Sequence, residues 1–92
     1  MMHERELANA SLEELERREN ELKNELQELP SQLEQARQEL FNLRFRLATR
    51  QLPDTSQVRR AKRQIARLMT KESEIKQEWA YIQDLRRIRK SQ

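Results

Sequence analysis

Five cations recur at helical spacing in one stretch of this 92-residue chain: Arg59, Arg60, Arg63, Arg67 and Lys71. At about 100° per residue they gather opposite Val58, Ala61, Ile65 and Leu68, with Lys62 on the flank. A row of cations facing away from an apolar stripe suits the phosphates of a nucleic acid backbone. Solvated helix faces usually mix signs, yet no acid lies from Gln57 to Thr70. The pattern therefore favours a polyanion over plain solvent.

A second group lies upstream. Arg44, Arg46 and Arg50 stand just before a break in the helical pattern, and Phe41 and Phe45, four apart, point away from the neighbouring leucines. Exposed aromatics beside arginines suit stacking or docking on RNA or on a neighbouring protein. The alternative is that they cover the N-terminal turn around Leu7. The tail Arg86-Arg87-Ile88-Arg89-Lys90 is a further basic cluster. A frayed, solvated end is its simplest reading, with RNA contact as the other.

Nothing in the chain supports catalysis. His3 is the single histidine, cysteine is absent, and the acids are strung along helical segments without a pocket to shift their pKa values. Neither a metal site nor a cofactor or small-molecule site is expected. Trp79 falls on an apolar seam and reads as packing.

The elements that must position the cations follow from composition. There is no glycine and there are two prolines, aromatics make up 4% of the residues, and charged residues 38%. Tight turns lack their usual residue, and Glu, Leu, Arg and Gln favour long helices. The class is all-α. Residues 1–40 carry five basic and eleven acidic side chains, and residues 41–92 carry fourteen and five. Such polarity implies that one part meets a polyanion while the other does not. No apolar run reaches membrane-span length and no signal-peptide core opens the chain, so an unexported soluble protein is expected.

Positions 8, 12, 15, 19, 22, 26, 29, 33, 36, 40, 43 and 47 alternate steps of four and three, and only Glu19 breaks their apolar seam. Ser11 and Glu14 form a capping box, so the first helix is expected over about residues 12–49, after a separate short turn at 4–9. Pro30 lies inside it. The seam keeps phase across the proline, which favours a kink, although Ser31 and Glu34 could cap a fresh helix. Pro53 ends the pattern in a loop at 50–56, where Asp54, Thr55 or Ser56 can cap the next helix. That helix runs over about 57–89, with Val58, Ala61, Ile65, Leu68, Ile75, Trp79 and Ile82 on its seam. A short loop between two long helices implies one antiparallel, coiled-coil-like hairpin domain spanning 1–92.

The run Gln38-Glu39-Leu40-Phe41-Asn42-Leu43-Arg44-Phe45-Arg46-Leu47-Ala48-Thr49, followed by Gln51-Leu52, resembles the central motif of a large-subunit ribosomal protein, universal family twenty-nine of bacterial type. Val58-Arg59-Arg60-Ala61-Lys62-Arg63-Gln64-Ile65-Ala66-Arg67-Leu68-Met69-Thr70 is similar to its second-helix motif. Arg5-Glu6-Leu7 and Ser11-Leu12-Glu13-Glu14-Leu15 look like its weaker opening. The strong match covers about a third of the chain.

The resemblance implies a helical hairpin bound to 23S-type ribosomal RNA beside the polypeptide exit tunnel, next to large-subunit protein twenty-three. The ribosome would be cytoplasmic or organellar. It suggests Arg44, Lys62, Arg63 and Arg67 as RNA contacts, and periodicity independently places Arg63 and Arg67 on the outer face.

Three departures stand out. Arg50 occupies a position where the family usually has glycine, so the turn is expected to form differently, later and through Pro53. Met69 replaces a usual basic residue. About two heptads are added before Phe41, and the chain continues well past Thr70. If Leu47 faces Val58 and Leu40 faces Ile65, then Leu33 falls near Glu72 and Leu26 near Trp79. The two additions are then expected to pair with each other. The competing function is a non-ribosomal coiled-coil module whose basic face binds an acidic protein.

Overall fold

The computed structural model describes residues 4–51 and 54–91. Three helices follow in order: α1 Glu4–Asn9, α2 Leu12–Ala48 and α3 Ser56–Lys90. No strand occurs among the described residues. The expectations resting on His3, Leu52 and Pro53 lie outside them.

Each boundary has a local cause. The α1–α2 junction is tied by the Ala10 N–H donating to the Leu7 carbonyl at 3.2 Å. Ser11 then caps α2, its Oγ accepting the Glu14 N–H at 3.1 Å while its carbonyl accepts the Leu15 N–H at 2.9 Å. A six-residue helix is too short to stand by itself; burial of Leu7 and Ala10 holds α1 in place. Helix α2 runs through Pro30 without a break. The proline withholds one ladder donor, from the carbonyl of Leu26, and the alternative of a fresh helix capped by Ser31 is not realised.

The end of α2 corrects an expectation. Arg50 does not hand the turn on to a later residue; it adopts the left-handed conformation itself, with φ of 60°. The Arg50 N–H donates to the Leu47 carbonyl at 3.1 Å and the Gln51 N–H to the Arg46 carbonyl at 2.8 Å. That pair of bonds is the Schellman closure, which a glycine ordinarily makes without strain. The satisfied carbonyls hold an arginine in a conformation that costs a β-carbon-bearing residue roughly 1–2 kcal/mol.

Helix α3 opens at Ser56, which donates its N–H to Asp54 Oδ1 at 2.9 Å and its hydroxyl to Oδ2 at 2.6 Å. The Thr55 carbonyl accepts the Val58 and Arg59 N–H groups at 3.1 and 3.3 Å.

The chain forms two compact units, Met1–Gln27 with Glu72–Gln92 and Glu28–Lys71. In the second, the loop unit, the C-terminal part of α2 and the N-terminal part of α3 are joined as an antiparallel pair. Leu43, Val58 and Ala61 form its buried cluster, with Leu40 and Leu47 packed against them. Leu29, Leu33, Ala36 and Leu68 are also buried there, so the heptad seam is used as the spacing predicts.

In the first, the terminal unit, the remaining lengths of α2 and α3 pair beside α1. Leu15, Leu22, Ile75 and Ile82 are buried along this pair, with Leu7 and Ala10 from the N-terminal turn. The two added segments therefore pair with each other. The register differs from that drawn from the leucines alone: the Trp79 indole N–H donates to Glu19 Oε1 at 3.2 Å, one heptad before Leu26. Polar partners set the register in this unit. Arg18 reaches across to Glu78, Nε to Oε1 at 2.9 Å and Nη2 to Oε2 at 3.1 Å. Arg86 binds both Glu19 and Glu16. Glu19, the one break in the α2 seam, is thus an acceptor for Trp79 and Arg86 rather than a defect.

Candidate nucleic-acid interface

Helix α3 enters the loop unit with Val58, Ala61 and Leu68 buried, and that burial turns the intervening residues outward. Arg59, Arg60, Lys62, Arg63, Arg67 and Lys71 are all exposed. From α2, Arg44 and Arg46 are exposed as well, and so is Arg50 in the turn. The structure places these nine cations in one unit. That unit carries ten basic residues against four acidic ones.

None of these cations takes part in an ion pair among the described residues. The recorded pairs join Arg18 with Glu21 and Glu78, Lys76 with Glu72, Arg86 with Glu16 and Glu19, and Arg87 with Asp84. All of them lie in the terminal unit. In the loop unit Arg60 makes one neutral contact, Nη2 donating to Ser56 Oγ at 3.1 Å. The nearest anion in sequence, Asp54, accepts from Ser56 instead. Its carboxyl is held below the usual carboxylate range by those two bonds and, less strongly, by Arg60 and Arg59. Asp54 serves as a helix cap and leaves the cationic stripe unneutralised.

Phe41 and Phe45 are 69% and 59% exposed. The reading in which they cover the N-terminal turn is therefore not met: Leu7 is buried and the two rings are open to solvent. Met69, 54% exposed, stands among the α3 cations without a charge.

The C-terminal basic cluster needs correction. It is neither frayed nor uniformly solvated: α3 stays helical through Lys90. Arg86 is held by two glutamates, and Arg89 Nη2 donates to the Ala8 carbonyl at 2.7 Å. Sequence reasoning treated these arginines as charge and missed their partners. The available signal was Glu19, an acid on an otherwise apolar seam, which calls for a cation on the facing helix.

Sequence reasoning also passed over a row of amides. Gln35, Gln38 and Asn42 of α2 line an open groove with Gln57 of α3, and Gln64 lines its continuation beside Arg60. Their spacing of three, four and seven residues marks one helix face, the same signal that revealed the cations.

No helix among the described residues is long and apolar enough to cross a membrane, and no cluster of His, Asp or Glu there could hold a metal.

The family model for Ribosomal L29 protein matches residues 26–74, close to the bounds of the loop unit. The upstream Arg5–Leu7 and Ser11–Leu15 segments lie outside that match. The large ribosomal subunit protein uL29 of Caldicellulosiruptor bescii is 50% identical over 56 residues, covering 59% of this chain and 78% of the relative. The protein of the same name from Rubrobacter xylanophilus is 48% identical over 54 residues, covering 59% of this chain and 81% of the relative. That of Streptococcus sanguinis is 43% identical over 72 residues, covering 78% of this chain and 85% of the relative. No solved structure matches the chain. The chain belongs to the Ribosomal L29 protein family, and its role is that of a structural, non-enzymatic constituent of the large ribosomal subunit.

Proposed function

We propose that the loop unit binds large-subunit, 23S-type ribosomal RNA through Arg44, Arg46, Arg59, Arg60, Lys62, Arg63, Arg67 and Lys71, near the polypeptide exit tunnel. The observation that carries this reading is the division of the ion pairs. The terminal unit pairs Arg18, Arg86 and Arg87 with its own acids, whereas the loop unit presents exposed cations with no ion-pair partner among the described residues. Release of condensed counterions from RNA supplies the driving force. Phosphate and sugar contacts position the hairpin and carry little sequence information. Arg63 and Arg67, one helical turn apart on the outer face of α3, are the leading contacts.

The exposed Phe41 and Phe45 then fit a neighbouring ribosomal protein, and the family resemblance points to large-subunit protein twenty-three. Aromatic side chains offer large contact area at low entropic cost.

Co-sedimentation with large subunits across a salt series tests the reading. Six to eight phosphate contacts give a log–log slope of roughly −5 to −7. A protein that washes off in moderate salt, and binds ribosomal RNA no better than tRNA, would overturn it. A concentration-dependent dimer through Leu12–Leu33 would instead favour the non-ribosomal coiled-coil module with a basic partner-binding face; here Leu15, Leu22, Leu29 and Leu33 are already buried within a single chain.

A further inference from the structure

We propose that the amide-lined groove of the loop unit binds the 2′-hydroxyls and base edges of an A-form RNA minor groove, a contact distinct from the phosphate contacts of the cationic stripe. This rests on the reading that the loop unit binds RNA, and it names a recognition chemistry that the cations cannot supply.

The groove runs between α2 and α3. Gln35, Gln38, Glu39, Asn42 and Arg46 line it from α2, and Gln57, Arg60 and Gln64 from α3. Leu43 and Ala61, both buried, form its floor, and the single methyl of Ala61 leaves the room that a larger residue would fill. The same packing of Leu43 on Val58 and Ala61 fixes the two walls relative to each other.

All five amides are exposed. Gln38 donates to Glu34 Oε1 at 3.3 Å, and no side-chain hydrogen bond is recorded for Gln35, Asn42, Gln57 or Gln64 among the described residues. An amide both donates and accepts, as does a 2′-hydroxyl, so the two groups match without a charge.

The electrostatics divide the groove in the same sense. Arg46 and Arg60 stand one on each wall, where phosphates would be attracted. Glu39 lines both stretches of the groove. An ionised carboxylate repels phosphate but accepts from a hydroxyl or an exocyclic amine. Ribose and base edges fit the middle, with phosphates at the rims. The groove is open, so the exposed amides on its rims can reach the edges of an A-form duplex, and it offers no enclosure for an extruded base.

The test uses an RNA duplex and the same duplex fully 2′-O-methylated, which keeps the A-form while removing the hydroxyl donors. Wild-type protein should bind the unmodified duplex about tenfold more tightly, the effect of one or two neutral hydrogen bonds. Asn42→Ala combined with Gln57→Ala should erase that preference and leave the salt slope unchanged, because no phosphate contact is lost. Both sites are exposed, and an unchanged melting curve verifies the fold. Wild-type protein that binds both duplexes alike, or a double variant that keeps the preference, overturns the proposal. The underlying reading fails separately: Arg63→Ala with Arg67→Ala would then leave affinity and salt slope unaltered.

Discussion

Arg18 and Arg63 carry the same guanidinium group into opposite circumstances. Arg18, in the terminal unit, bridges Glu78 on the facing helix and Glu21 on its own. Its hydrogen bond to Glu78 holds its proton even more firmly than usual, against the opposing effect of burial. Arg63, in the loop unit, is exposed and has no such partner among the described residues. The contrast extends to whole units. The terminal unit carries twelve acidic residues and nine basic, and its cations and anions meet across the helix pair. The loop unit has an excess of cations and no internal ion pair among the described residues. In one unit charges pair across the helices; in the other the cations are exposed. The family match at residues 26–74 falls on the second kind.

Breaking the Arg18–Glu78 pair should have the largest effect on this comparison. Glu78 is 4% exposed, so Arg18→Ala takes two charge-assisted hydrogen bonds from a buried carboxylate. Stability should fall by about 2 kcal/mol in urea denaturation, the effect of losing hydrogen bonds to a charged group. Ribosomal RNA affinity of the folded protein should be unchanged. Replacing both partners, Arg18→Leu with Glu78→Leu, should recover most of the loss, since an apolar pair carries no desolvation cost. A single substitution that leaves the midpoint unmoved would remove the terminal unit's claim to an electrostatic lock.

The mirror experiment in the loop unit is Arg63→Ala with Arg67→Ala. Stability should shift by less than about 0.5 kcal/mol, as expected for surface sites. The log–log salt slope of RNA binding should fall by about 2, one for each lost phosphate contact. A large loss of stability would show that these arginines serve the fold after all.

Arg50→Gly sharpens the comparison at the turn. The left-handed position at the end of α2 should accept glycine with a gain of about 0.5–1 kcal/mol, read from the shift in thermal midpoint. RNA affinity reports separately whether the Arg50 side chain contributes to binding.

The smallest effect belongs to Asp54. Its pKa is depressed in the folded state, so its contribution is present above the unfolded value and lost as pH falls through the folded one. Wild-type protein and Asp54→Asn should differ in stability at neutral pH and converge below about pH 4. A constant gap down to low pH would mean that the Ser56 bonds do not depend on the carboxylate.

Much of this was legible in one dimension. The heptad seam marked both long helices to within two residues at each end, because helical periodicity is a local property that burial then confirms. Ser11 and Asp54 were readable as caps for the same reason: a side chain bonds a backbone group a few residues away. The cationic face followed from spacing, and the family from the Phe41–Arg46 and Val58–Thr70 runs. What could not be read was any bond between residues far apart in sequence. The fate of Arg86 and Arg89 depends on Glu16, Glu19 and Ala8, so a tail that looks like loose charge is a clamp.

The sequence by itself determined that this chain is helical, where its seams run, and that its cations crowd into the stretch from Arg44 to Lys71, because propensity, period and charge are properties of neighbours along the chain. Only the tertiary structure decided which cations are already neutralised and that Glu78 would be a buried anion facing Arg18. Those outcomes depend on pairing between helices, and an unmet charge is defined by what stands across from it.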